Sequence, residues 1–145
     1  MTVRRIDQGM AAAAARALPQ DLVVDKELRT RYRQLRVMLH TAGLAATYAF
    51  IASKAGDTDG GPDGSGRLAG AYRQAGDAIR GRLSDMELFP GGARPAGVRD
   101  VMAELGKMDP VQYARASAEA AALVGWLSRL ADAAFQETGG RSGHA

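Results

Sequence analysis

Apolar residues recur along this 145-residue chain at intervals of three and four, and no segment alternates apolar with polar residues over several positions. This spacing is typical of amphipathic helices and not of strands. The abundance of alanine and the scarcity of β-branched residues also favour helix. The sequence therefore predicts an all-α fold, a compact bundle of five to six helices.

Proline, glycine and polar residues mark the ends of the predicted helices. Pro19 ends the first helix, because proline cannot continue the hydrogen-bond pattern of a helix interior. Asp109 followed by Pro110 is typical of an N-cap and a first helical residue. The predicted helices span residues 4–18, 24–40, 41–54, 67–86, 96–107 and 110–136.

The apolar residues of each helix after the first fall on one face, and these faces supply the predicted core. A chain of this length can bury such a core without cross-links. Trp126 lies at the edge of the last face. The predicted buried residues are Leu28, Tyr32, Leu35 and Leu39; Leu44, Thr47, Tyr48 and Ile51; Leu68, Tyr72, Ala75, Ile79 and Leu83; Val98, Val101, Met102 and Leu105; and Tyr113, Ala116, Ala120, Leu123, Leu127 and Leu130.

Residues 1–136 are predicted to form a single helical domain. Within it, residues 56–66 read GDTDGGPDGSG, and five glycines, a proline and three aspartates predict a flexible surface loop. The glycine-rich residues 137–145 are predicted to form a disordered tail. The apolar stretch at residues 42–52 is far shorter than the roughly 20 residues of a membrane-spanning helix, so we expect a cytoplasmic protein that does not contact a membrane.

Few residues suit catalysis or metal binding. Cysteine is absent, which excludes disulfides, thiolate ligands and thiol nucleophiles. Residues 64–69, GSGRLA, fit a dinucleotide-binding pattern, but a polar loop and not a strand precedes them. Asp57, Asp59 and Asp63 suggest a calcium loop, but Pro62 and Leu68 occupy the positions where that loop needs glycine and glutamate. His40 is expected to cap or pack at a helix end. No cofactor or metal site is predicted, and an enzyme is the least favoured class.

Basic residues are concentrated on particular helix faces. Sixteen arginines and three lysines contribute to a net charge of +3. Four basic residues of the second helix fall within about 80° of one another, and two more share a face of the fourth. A single such residue is expected only to keep the bundle in solution, but guanidinium groups gathered on one arc suit phosphate. The residues predicted to bind an RNA backbone without reading its sequence are Lys26, Arg29, Arg33, Arg36, Arg73 and Arg80.

Three segments carry a resemblance to a known family. Residues 4–18 read RRIDQGMAAAAARAL, residues 32–54 run from a tyrosine to GLAATYAFIASK, and residues 113–131 run from a tyrosine through EA to WLSRLA. In this order and at this spacing they resemble the small α-helical subunit of Cmr complexes, the type III-B CRISPR RNA-guided effectors. The chain departs from the family at Val37-Met38, where members usually carry a proline, and at Tyr48, where leucine is common.

The resemblance implies a non-enzymatic subunit that stacks with copies of itself along the inner side of a helical filament. Its implied partners are the Cmr backbone and large subunits and the duplex of guide RNA with target RNA. The alternative is a protein–protein adaptor, whose arginines bind acidic partner surfaces and make no direct contact with RNA.

Overall fold

A computed structural model describes the backbone of residues 2–19, 24–56 and 65–142 and the side chains of residues 8–19, 24–56 and 66–135. Within these residues the chain forms six α-helices, one short 3₁₀ turn and no strand, which confirms the predicted all-α bundle. The helices are α1 (Thr2–Ala17), α2 (Lys26–Thr41), α3 (Leu44–Ala55), α4 (Ser65–Asp85), α5 (Val98–Lys107) and α6 (Pro110–Ser142), and the 3₁₀ turn covers Pro90–Gly92.

The longest helix, α6, organises the bundle by packing mainly against α2, α1 and α4. Alanines on its inward face let neighbouring backbones approach closely, and larger apolar side chains fill the remaining space. The removal of this face from water is the main force that stabilises the bundle. Its almost completely buried residues are Ala116, Ala120, Leu123, Val124, Leu127 and Ala131.

Helix α3 packs against α4 and α5. The contact with α4 is close because Gly76 has no side chain, and a Cβ there would lie only 3.1 Å from Cγ2 of the fully buried Ile51. An ion pair joins α4 to α6, with Arg82 Nε 3.0 Å from Glu119 Oε1 and both side chains mostly shielded from solvent. Apolar packing and one shielded ion pair therefore hold α4 in place between its neighbours.

Specific caps account for where α2, α3 and α6 begin. Asp25 caps α2, because its carboxylate accepts a hydrogen bond from the N–H of Leu28 at 2.9 Å. Asp109 caps α6 by accepting from the N–H of Gln112 at 2.7 Å, and the Gln112 side chain accepts from the N–H of Asp109 in return. Gly43 precedes α3 with a φ of 97°, a left-handed conformation that glycine adopts without strain.

The predicted buried faces of α2 and α3 are confirmed in full. In α5, however, the prediction for Val98 is wrong, because this residue is 44% exposed. It lies in the first turn of α5, where it borders a cleft between α3 and α4 and is not covered by the core. The remaining predicted core residues that are only partly buried are Leu68, Met102, Tyr113 and Leu130.

The observed helix ends differ from the predicted ends by a few residues. Helix α2 begins at Lys26 because the preceding residue is its cap, and α3 begins at Leu44 and not at residue 41 because the left-handed glycine separates the two helices. Helix α6 continues to Ser142 and does not end near residue 136.

Two predicted irregular segments lie largely beyond the described chain. Helix α4 begins at Ser65, so the last residues of the predicted 56–66 loop are helical, and residues 57–64 lie outside the described residues. Residues 143–145 of the predicted tail lie outside them as well. Among the described helices, none combines the length and apolar character needed to cross a membrane.

Candidate nucleic-acid interface

Helices α2 and α6 run antiparallel and leave an open groove between them. Arg33, in the middle of α2, donates a hydrogen bond to Asp132 in the second half of α6. Ala45, which follows the end of α2, donates its N–H to the hydroxyl of Tyr113 near the start of α6, so the two helices run in opposite directions. Small residues on the outer side of α6 leave the groove a volume of about 940 Å³. We call this the α2–α6 groove, and it is lined by Arg33, Arg36, Val37, Leu39, His40 and Thr41 of α2 and by Ser117, Ala118, Ala121, Ala122, Gly125, Trp126 and Arg129 of α6.

The lining of the α2–α6 groove is positively charged. It contains three arginines and a histidine, and none of its residues is a carboxylate. Arg36 is exposed and has no hydrogen bond or ion pair with the part of the chain that the structure describes. A cationic groove with unused donors suits an anionic ligand, and phosphate matches the paired donors of a guanidinium group.

Asp132 engages two arginines of α2 at one end of the groove. Its Oδ1 lies 3.0 Å from Arg33 Nη2 and 3.8 Å from Arg29 Nε. The Arg29 guanidinium also lies 4.0 Å from the centroid of the Phe135 ring, and its side chain is only 18% exposed. Arg29 therefore joins α2 to α6, whereas the Arg33 side chain is 53% exposed and still borders the groove.

The two basic residues predicted on α4 lie beside α3 and not in the α2–α6 groove. Arg73 donates a hydrogen bond to the carbonyl oxygen of Ala55 at 3.1 Å, and Arg80 donates one to Asp77 at 3.0 Å. Burial raises the pKa of Tyr48, and the adjacent Arg80 guanidinium opposes that rise. Both arginines therefore make contacts within the bundle, and Asp77 partly neutralises this surface.

The six predicted RNA-binding residues thus separate into groups. Arg33 and Arg36 lie together in the α2–α6 groove. Lys26 is exposed in the first turn of the same helix but does not line the groove. The other three are held by contacts within the bundle.

Three further groove residues, Arg129, Trp126 and His40, have side chains suited to RNA but were not among those predicted to bind it. Arg129 and Trp126 are three positions apart on α6, and the Arg129 guanidinium carbon lies 5.5 Å from the centroid of the Trp126 ring. His40 was expected to cap or pack at the end of α2, but it is exposed in the groove. The Met38 carbonyl in the last turn of α2 instead accepts a hydrogen bond from the backbone N–H of Ala42. The sequence did contain a signal for Arg129, since it falls on the side of α6 opposite the buried leucines.

The groove presents cationic and aromatic side chains to a ligand. Among the residues that the structure describes, no group of three or more histidine and acidic side chains is placed to hold a metal ion. The groove residues instead offer guanidinium donors, an imidazole and one indole ring above a floor of alanine and glycine.

Comparison with protein families identifies the chain at the level of a family. The model of the CRISPR-associated protein family Cas_Cmr5 matches residues 6–134, which is most of the chain. The chain belongs to the Cas_Cmr5 family. This membership confirms the resemblance to the small subunit of the type III-B Cmr complexes, and the match to Cas_Cmr5 includes both walls of the α2–α6 groove. Comparisons with curated proteins and with solved structures gave no match.

Proposed function

We propose that this Cas_Cmr5 chain is a non-catalytic subunit that binds the RNA backbone through the α2–α6 groove. The observation that carries the proposal is the groove lining, in which three arginines occur without a carboxylate. An RNA-guided complex contains a linear array of phosphates, and a cationic groove attracts such an array regardless of its sequence.

The two walls of the groove have complementary parts in this proposal. Arg33 and Arg36 contact phosphates from the α2 side, and Arg129 contacts them from the α6 side. Lys26 extends the basic surface at the start of α2. The remaining predicted residues, Arg29, Arg73 and Arg80, contribute mainly positive potential, because contacts within the bundle engage their guanidinium groups.

The proposal also covers the assembly. Copies of the chain stack along the inner side of the Cmr filament in the cytoplasm, beside the guide RNA–target RNA duplex and in contact with the backbone and large subunits. A net charge of +3 is small for a nucleic-acid-binding domain. One copy is therefore expected to bind weakly, and aligned copies are expected to hold the RNA together.

A salt titration of RNA binding tests the proposal. With about three phosphate contacts, the logarithm of the association constant for single-stranded RNA should fall linearly with the logarithm of the salt concentration, with a slope of about −2. Arg36→Gln should weaken binding and make the slope less steep by about 0.7. The matched control is Arg99→Gln, which removes the same charge from an exposed position on α5 outside the groove. Fluorescence anisotropy of labelled RNA measures both quantities.

A second variant should change the affinity in the opposite direction. Asp132 competes with phosphate for Arg33, because it holds that guanidinium at 3.0 Å. Asp132→Asn should therefore strengthen RNA binding by up to about fivefold, because an exposed ion pair contributes at most about 1 kcal/mol and Arg33 no longer has to break one. Circular dichroism should show unchanged helicity in this variant.

Absence of binding at low salt, or equal losses in the Arg36 and Arg99 variants, would overturn the proposal. The adaptor alternative predicts a different pattern. In that case the isolated chain shows no RNA binding at low salt, yet it co-purifies with the Cmr backbone subunit, and Arg36→Gln weakens that association.

A further inference from the structure

Trp126 is the feature of the α2–α6 groove that phosphate binding does not explain. It is the only tryptophan of the chain. The ring is partly buried against the core, but it also lines the groove. Tyr32, the aromatic residue of α2, is by contrast fully buried and cannot reach a ligand.

The surroundings of Trp126 resemble a stacking platform. Arg129 lies over the indole with its guanidinium carbon 5.5 Å from the ring centroid, a cation–π contact that places a positive charge beside the ring where both residues line the groove. The neighbouring floor consists of Ala118, Ala122 and Gly125, which leave room for a flat ring. The groove volume of about 940 Å³ lies within the range of small-molecule sites.

We propose that the Trp126–Arg129 pair stacks an unpaired nucleobase, so that the α2–α6 groove binds single-stranded RNA in preference to duplex. This inference rests on the proposed function, because the arginines must first hold the backbone. A base within a duplex has both faces covered by its neighbours, whereas an unpaired base can leave the strand and stack on a protein ring. Cationic grooves with aromatic platforms bind single strands in this way, without sequence preference.

The intrinsic fluorescence of this chain gives a direct test, because it contains a single tryptophan. Single-stranded RNA of mixed sequence should quench Trp126, and a blunt duplex of the same sequence should quench it less. Anisotropy with the same two RNAs should show at least about fivefold tighter binding to the single strand, the contribution of one stacked base.

Two substitutions separate stacking from simple packing. Trp126→Leu should weaken binding to single-stranded RNA at least about fivefold and leave duplex binding nearly unchanged. Trp126→Phe retains an aromatic ring and should keep most of the affinity. Thermal unfolding of each variant shows whether the bundle remains intact, and the quenching experiment on the unaltered chain needs no substitution.

The inference and the proposed function fail in different ways. If RNA binding is salt-dependent and sensitive to Arg36→Gln, but single strand and duplex bind equally and Trp126→Leu has no selective effect, only the stacking inference is overturned. If neither RNA binds at low salt, the proposed function itself is overturned. Quenching by a partner protein but not by RNA would assign the groove to a protein interface and overturn both.

Discussion

Two tyrosine hydroxyl groups show how differently single polar atoms are used in this bundle. The Tyr113 hydroxyl accepts a hydrogen bond from the N–H of Ala45 at 3.0 Å and thereby joins α6 to the first turn of α3. The Tyr32 hydroxyl is buried and has no hydrogen-bond partner within the described residues. Burial raises the pKa of Tyr32, and the neighbouring Tyr72 adds to that rise, so the phenol stays protonated across the physiological range.

Replacing each tyrosine by phenylalanine should therefore give different results. Tyr113→Phe should lower the free energy of unfolding by about 1 kcal/mol, because a partly buried N–H loses its acceptor. Tyr32→Phe should leave it unchanged or raise it slightly, since no hydrogen bond is lost. Urea denaturation measures both values, and equal losses in the two variants would contradict this account.

The burial of single residues could largely be predicted from sequence, but their long-range partners could not. Helical spacing placed Tyr32 inside and Trp126 at the edge, and the structure agrees. The pairing of Arg33 with Asp132 joins residues 99 positions apart. No local pattern contains that contact, because it depends on which helices become neighbours.

At the scale of the helices, the capped start of α6 was predicted correctly, whereas the predicted starts of α2 and α3 were two or three residues too early. Asp109 and Pro110 correctly marked the start of α6, because an N-cap carboxylate and a proline in the first turn act locally. The start of α3 depends on the left-handed φ of Gly43, which leaves no distinctive pattern in the apolar spacing. Val98 shows a related limit, since periodicity gives its face but not how far the neighbouring helix extends.

The N-cap of α2 also joins that helix to α4. Asp25 accepts hydrogen bonds from the N–H of Leu28 and from the Arg67 guanidinium. Partial burial on its own would raise the pKa of Asp25, but these two donors outweigh it and leave that pKa below its ordinary value of 3.8. Because the folded-state pKa is the lower one, the stabilisation is fully present above the unfolded-state pKa and is lost as the pH falls through the folded-state pKa.

Two substitutions at Asp25 separate the cap from the charge. Asp25→Ala should lower the free energy of unfolding at neutral pH by about 1 kcal/mol, the typical value of an N-cap. Asp25→Asn keeps an acceptor for the N–H of Leu28 but loses the ion pair with Arg67, so its cost should be smaller, because the carboxylate is partly exposed.

The pH dependence provides the control for these two variants. The difference between the unaltered chain and Asp25→Asn should be present at pH 7 and should shrink below about pH 4, where the carboxylate becomes protonated. Denaturation with urea at several pH values measures it. A difference that stays constant down to pH 2 would show that the charge of Asp25 does not contribute.

At the scale of the whole molecule, the sequence predicted one wall of the candidate site and not the other. The basic residues of α2 stood out because several fall on one arc of a short helix. Arg129 is one of three arginines spread along a long, alanine-rich helix, so no cluster of charge marks it, and its place in the groove follows from the antiparallel packing of α2 and α6. The structure also removes Arg29 from the exposed set by covering it with Phe135.

The weak binding expected of one groove leads to a prediction about linked copies. Two chains joined by a long flexible Gly/Ser linker should bind a 24-nucleotide single-stranded RNA at least about tenfold more tightly than one chain, because the second groove binds at high effective concentration. An 8-nucleotide RNA, too short to span both grooves, should show almost no gain. Arg36→Gln in only one of the two copies should remove most of the gain, since that groove loses a phosphate contact, whereas Arg99→Gln in one copy should keep it. Anisotropy titrations at fixed salt measure all four cases, and an equal gain on the short and long RNAs would show that linkage acts through something other than two grooves on one strand.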